Sequence, residues 1–158
     1  MTLQHEDYMK LAFDAAFNGV RNNVGGPFGA VVVLKGEVIG KGCNMVSSTN
    51  DPTAHAEIVA IREACRNLQT FNLNNAVLYA TCEPCPMCLS AIYWAGIPAV
   101  YYCSTRVDAE NIGFSDNFIY NELDKPIEER SIRFSRLNLE EGGELFNEWT
   151  NKEDKIVY

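Results

Sequence analysis

His55-Ala56-Glu57 is followed, twenty-seven residues after the glutamate, by Pro84-Cys85-Pro86-Met87-Cys88. An imidazole and two thiols are soft metal donors, and three of them leave a zinc ion one open position. An open position separates a hydrolytic zinc from a structural one, so the chain must bring two distant segments to one point and keep a fourth vertex clear. Both segments sit where the pattern places helix starts, just after segments with strand character. That narrows the possible folds to layered α/β architectures with a site at a sheet edge.

The pass along the chain supports this. Tyr8, Leu11, Ala12, Ala15, Ala16 and Phe17 recur at helical spacing over Glu6 to Val20. Phe28-Gly29-Ala30-Val31-Val32-Val33-Leu34 and Glu37 to Asn44, separated by Lys35-Gly36, read as a β-hairpin. Ser47 to Thr53 reads as a polar loop, and His55 to Leu68 as a helix with Ile58, Ile61, Ala64, Cys65 and Leu68 on one face. Ala76 to Thr81 is a buried-type strand, with Pro84 suited to the first turn of the helix that follows. Ala99 to Cys103 is a fourth strand. The last third reads as a helix over Phe114 to Leu123, a fifth strand over Arg130 to Leu139 and a final helix over Gly142 to Lys155. Strands alternating with helices from Ala54 onward imply parallel pairing and helices on both sheet faces. The expected fold is a three-layer α/β/α arrangement around a mixed five-stranded sheet, in one domain spanning 1–158.

Thirteen Lys and Arg against twenty-one Asp and Glu give a net charge of −8. That field repels polyanions, and a protein that grips nucleic acid needs the opposite sign. The opening Met1-Thr2-Leu3-Gln4-His5-Glu6-Asp7 is polar and acidic, unlike an export signal, and no apolar run reaches membrane-spanning length. The expectation is a cytoplasmic protein without membrane or nucleic-acid partners. Six cysteines then read as thiols and metal ligands. Cys43, Cys65 and Cys103 are expected as small core residues.

Cys85 and Cys88, three apart, are neighbours at a helix start, where the dipole and unpaired N–H groups favour thiolates. His55 would bind as neutral imidazole. Zinc there would make water nucleophilic near neutral pH, and Glu57, which need not bind the metal, would carry protons as general acid/base. Residues two apart on an ideal helix face different sides, so Glu57 must reach the site by its length and local geometry. Cys82 leaves an alternative open: Cys82, Cys85, Cys88 and His55 could close a structural Cys3His site in a non-catalytic interaction module.

At these residues the chain resembles the cytidine-deaminase-like superfamily, whose zinc nucleobase deaminases carry H-x-E with P-C-x-x-C. Within it the chain is similar to the small bacterial-type guanine deaminases. The resemblance covers nearly the whole chain and includes Gly25 to Ala30, Asn50 to Glu57 and Ala91 to Ala95. Gly113 to Tyr120, Asp124-Lys125-Pro126 and the terminal Tyr158 point to the guanine branch. It implies one zinc per subunit on His55, Cys85 and Cys88, with hydrolysis of guanine to xanthine and ammonia. Cytosine, a nucleoside such as guanosine, a triazine such as ammeline and tRNA adenosine stand as alternative substrates.

The resemblance further implies that Phe28 stacks on the purine with His55 on its other face. Asn44 would hydrogen-bond the ring, and the backbone N–H groups of Ala56 and Cys85 would contact the substrate or the reacting oxygen. Asp116 would be a second proton-carrying carboxylate, and Trp94 and Tyr158 would wall the pocket. A homodimer is implied as well, with a C-terminal segment able to cross to the partner subunit. By residue type alone, Asn44 also suits a turn, Phe28 a core, Asp116 a helix cap and Trp94 a core or dimer face.

Overall fold

The computed structural model describes residues 3–158, which fall into two compact units divided after Asp116. The first unit holds a four-stranded sheet of order β2-β1-β3-β4, with β1 Gly29–Leu34, β2 Glu37–Cys43, β3 Ala76–Cys82 and β4 Ala99–Ser104. β1 runs antiparallel to both β2 and β3, whereas β3 and β4 are parallel. β2, β3 and β4 therefore end at the same edge, where β1 begins. Lys35 and Gly36 close the β1–β2 hairpin with positive φ at both positions (52° and 86°). That is the two-residue turn whose twist matches a hairpin.

Strand periodicity sorts the core into two layers. Ala30, Val32, Leu78 and Ala80 face α3 (Ala56–Leu68) and α4 (Pro86–Trp94), packing with Ala56, Ala60, Ala64 and Ile92. The alternate residues Val31, Val33 and Tyr79 face α1 (His5–Arg21) through Tyr8 and Ala12. Helix and sheet approach at glycines. A Cβ on Gly40 would stand 2.2 Å from the Ala60 carbonyl oxygen, and one on Gly42 would stand 2.5 Å from that of Ala56. Real side chains do not tolerate such distances, so only glycine lets α3 lie with its backbone against β2.

Several boundaries differ from the sequence-based expectation. Residues 46–49 form a short helix, α2 (Val46–Thr49), inside the expected loop, and α5 (Arg106–Asn111) follows β4. The helix carrying the cysteines starts at Pro86, with Cys85 as its N-cap, so Pro84 lies outside it. β2 and β3, which lead toward the two metal-binding segments, are not adjacent, because β1 lies between them. Cys103 is exposed on the edge strand, and Cys43 and Cys65 are half-buried.

The second unit comprises α6 (Asn117–Leu123), a 3-10 turn at Ile127–Glu129 and α7 (Glu141–Asn151). The expected fifth strand over Arg130 to Leu139 is not a strand, so the sheet has four strands among the described residues. Its apolar residues Ile132, Phe134, Leu137 and Leu139 are exposed. A strand is defined by a ladder partner, and the segment's apolar pattern found none. No helix among the described residues is long and apolar enough to cross a membrane.

Candidate active site

Both metal-binding segments enter helices through an N-cap. His55 caps α3 with extended backbone (φ −67°, ψ 156°), and Cys85 caps α4 in nearly the same conformation (φ −66°, ψ 169°). Extended geometry at the cap explains how Glu57 reaches the site. His55 precedes the helical turn, so the 3.6-residue rule does not set its direction relative to Glu57. In α4, Cys85 at the N-cap and Cys88 at the third helical position stand as the two partners of a capping box do, side by side over the first turn.

His55 Nδ1 lies 3.5 Å from Cys85 Sγ and 3.6 Å from Cys88 Sγ. A tetrahedral zinc with Zn–S about 2.3 Å and Zn–N about 2.0 Å separates nitrogen and sulfur donors by about 3.5 Å. The spacing and softness of the donors fit zinc. Among the described residues this is the group of His, Cys, Asp or Glu ligand atoms lying within 4.8 Å of one another. Cys82 is not in it. Its thiol is directed at the Thr105 carbonyl, 3.5 Å away, and burial pushes it up to about 11, which disfavours the thiolate that zinc binds. Within this set, the Cys3His alternative lacks its fourth ligand.

The electrostatics follow from proton sharing in a confined cluster. A hydrogen bond from the Cys88 side chain, reinforced by His55, pulls Cys85 down to about 4 against the opposing effect of burial. Cys88, donating to Cys85 and buried, is pushed up. His55 is raised, first by its hydrogen bond with Cys85. Glu57 is 7% exposed, and burial raises its carboxyl, while a hydrogen bond with the Cys88 side chain works the other way. A buried carboxyl beside a donor set it does not join is unusual for a structural metal site. Asp116, half-buried, is raised chiefly by desolvation and lies within reach of the charges of Cys85, Arg106 and Glu83.

A second cluster forms around Asn44, which is 6% exposed. Its Oδ1 accepts from the backbone N–H groups of Gly26 and Val46, each at 3.2 Å. The oxygen is thereby occupied, and the amide NH2 is the end left to recognise a ligand. A Cβ on Gly25 would stand 2.2 Å from the Asn44 carbonyl oxygen, so the Gly25-Gly26 turn is what lets the backbone approach this side chain. Phe28, half-buried, packs edge-on against Phe114, with ring centroids 5.0 Å apart and planes at 89°. Phe114 also covers the bare face of Gly26.

The structure thus gathers His55, Glu57, Cys85 and Cys88 in one cluster and fixes Asn44 and Phe28 through the Gly25-Gly26 turn. Ala56 is buried in the first turn of α3. Trp94 ends α4 and is 71% exposed, and Tyr158 ends the second unit at 79%. The sequence did not assign roles to Gly25, Gly26, Glu83 or Phe114. The consecutive glycines were the visible signal for the first two; the last two are recognised only by what they touch.

Residues 2–104 match the family model described as the cytidine and deoxycytidylate deaminase zinc-binding region. The chain belongs to the cytidine and deoxycytidylate deaminase family. This deaminase is 49% identical over 156 residues to guanine deaminase of Bacillus subtilis (strain 168), covering 99% of the chain and 100% of that protein. The X-ray structure of the Bacillus subtilis guanine deaminase superposes with a TM-score of 0.96 over 99% of both chains. The chain is 40% identical over 126 residues to a tRNA-specific adenosine deaminase of Aquifex aeolicus (strain VF5), covering 80% of this chain and 81% of that protein.

Replacing Cys82 with Ser should leave zinc near one ion per chain, measured by elemental analysis after dialysis. Loss of the ion would restore Cys82 as a ligand and the site as structural.

Proposed function

We propose that this deaminase hydrolyses guanine to xanthine and ammonia, using Glu57 to carry protons beside zinc held by His55, Cys85 and Cys88. The observation that carries the reading is the nitrogen–sulfur spacing of a four-coordinate zinc next to a buried carboxyl that takes no part in it. Guanine as substrate is supported by likeness to a guanine deaminase over the whole length, including the last third, beyond residue 104 where the family model stops. The net charge of −8 argues against a tRNA substrate.

Zinc in such a site supplies Lewis acidity, which makes water a nucleophile near neutral pH. The protein's own groups do the rest. Glu57, raised by burial, takes a proton from the water that attacks C2 and passes it to ring nitrogen N3. Asp116 is the second carboxylate: it takes the remaining hydroxyl proton of the attacking water and delivers it to the departing amine. The C2–N bond then breaks, ammonia leaves and the added oxygen becomes the new carbonyl of xanthine. Phe28 offers a flat apolar face for the ring. Asn44, with Oδ1 committed to two backbone donors, offers N–H to a ring acceptor such as the guanine carbonyl oxygen. This sharpens the sequence-based reading, in which Asn44 hydrogen-bonds the ring through an unspecified end of its amide.

We read the two compact units as parts of one deaminase domain that works as a homodimer. Support for the dimer comes from the second unit, where Leu145, Phe146, Ile156 and Val157 are all exposed. An apolar set of that kind marks an interaction surface.

Purified zinc-loaded protein should release ammonia from guanine in preference to guanosine, adenine, cytosine and ammeline. Glu57→Gln should cut kcat by about 10²–10⁴-fold with zinc retained; equal rates in the two proteins would remove Glu57 from the chemistry. Asn44→Asp keeps an oxygen for Gly26 and Val46 but turns a second acceptor toward the ring. It should weaken binding of guanine and of a competitive purine inhibitor by about 1–3 kcal/mol; unchanged inhibitor affinity would count against the donor assignment. Sedimentation equilibrium should give twice the chain mass, and a monomer at micromolar concentration would sink the dimer.

A further inference from the structure

Two residues before the first metal-binding cysteine, Glu83 is half-buried. Its Oε2 accepts from the backbone N–H of Arg106 at 3.1 Å, and its own N–H donates to the Ser104 carbonyl at 2.9 Å. Cys82, beside it, makes the last β3–β4 pairing with Ser104 and directs its thiol at the Thr105 carbonyl. Three consecutive residues, 104 to 106, are therefore gripped by the dipeptide that leads into the metal-binding loop.

From there the chain runs through α5 to Asp116. Thr105 and Asp108 form a capping box, with Thr105 N–H donating to Asp108 Oδ2 at 2.7 Å and Asp108 N–H to Thr105 Oγ1 at 3.3 Å. This box satisfies the cap and the third helical position but leaves the Arg106 N–H, at the first position, to Glu83. α5 then ends through Gly113 (φ 95°) and the Phe114 N–H to Ala109 carbonyl bond at 2.9 Å. Phe114 packs on Phe28, and Asp116 follows two residues later. The strap from Ser104 to Asp116 is thus held at its start by Glu83 and near its end by an aromatic contact. Together with the Cys82 thiol, the Glu83 side chain ties its origin to the segment carrying Cys85 and Cys88.

We propose that Glu83 is a positioning residue: by accepting the Arg106 N–H it sets the origin of the strap that ends on Asp116, fixing that carboxylate relative to the metal ligands. The inference rests on the reading of Asp116 as a proton carrier. Glu83 needs no contact with substrate for this. Its carboxylate oxygen serves as an acceptor, so a neutral amide oxygen should serve nearly as well. The link can also be cut from the donor side. Proline is suited to the first helical position, where it removes only the N–H, and Thr105 already has the extended backbone that precedes proline (φ −87°, ψ 167°).

The test is a set of single and double variants of the full-length, zinc-loaded protein, assayed for kcat, KM and zinc content. Glu83→Ala should lower kcat about tenfold with KM for guanine within about twofold, the scale of one lost hydrogen bond felt in the transition state. Glu83→Gln should recover most of the loss. Arg106→Pro should match Glu83→Ala when each is compared with its proper control, which for Arg106→Pro is Arg106→Ala. In an Asp116→Asn background, Glu83→Ala should have little further effect, because residues acting through one group do not add. Multiplicative losses in the double variant would overturn the proposal, as would failure of Gln to rescue. Loss of zinc that accounts for the whole drop, or unchanged kcat in Glu83→Ala, would do so too. If Asp116→Asn alone keeps full turnover, the reading of Asp116 has failed and the Glu83 proposal falls with it, an outcome distinct from the others.

Discussion

The site depends on a close approach of backbone to backbone. α3 lies against β2 because Gly40 and Gly42 have no Cβ, and the facing helix residues are Ala56, Ala60 and Ala64. With any larger strand residue the helix would ride higher, and its N-terminus would leave the sheet edge. That N-terminus carries His55 and Glu57. The opposing pair, Cys85 and Cys88, is fixed by β3, whose carboxyl end lies at the same edge because β1 pairs antiparallel with both β2 and β3. Topology and two glycines thus bring an imidazole within 3.6 Å of two sulfurs from thirty residues away.

Both ligand-bearing segments use the same local device, an extended residue capping a helix. At that position a side chain can point across the helix mouth, beside the free N–H groups and the positive end of the dipole. Thiolates are favoured there, and hydrogen bonds with the Cys88 side chain and with His55 hold Cys85 low. Glu57 has the opposite environment. Buried at the second helical position of α3, it holds its proton more readily than a surface carboxylate does, a trait suited to a group that must alternately accept and donate. In the proposed reaction, the paired environments suit ligand and proton carrier to distinct roles within one cluster.

In the proposed function, recognition depends on the polarity of one amide. An asparagine in water is indifferent to which end it presents. Here two backbone N–H groups hold the oxygen, so Asn44 is left as a donor. The Gly25-Gly26 turn permits that arrangement and also seats Phe114, which buttresses Phe28. The proposed stacking face and hydrogen-bonding edge are therefore set by the same four-residue stretch.

The two metal-ligand motifs, the β1–β2 hairpin and the helical character around each motif were legible in the sequence, because each depends on residues close together in the chain. Cap preferences, strand alternation and a turn needing positive φ are local physics. The start of α4 was misplaced by two residues because two prolines compete for the first helical position, and Pro86 holds it. The fifth strand failed because an apolar run becomes a strand only with a partner for its backbone. The polarity of Asn44, spanning eighteen residues to Gly26, exists only once β2 lies beside β1, and the Glu83–Arg106 bond, spanning twenty-three, only once β4 lies beside β3. Residue type and short spacing determined which chemistry the chain can perform. Tertiary structure decided which atoms of those residues face inward, because backbone partners far along the chain claim the others.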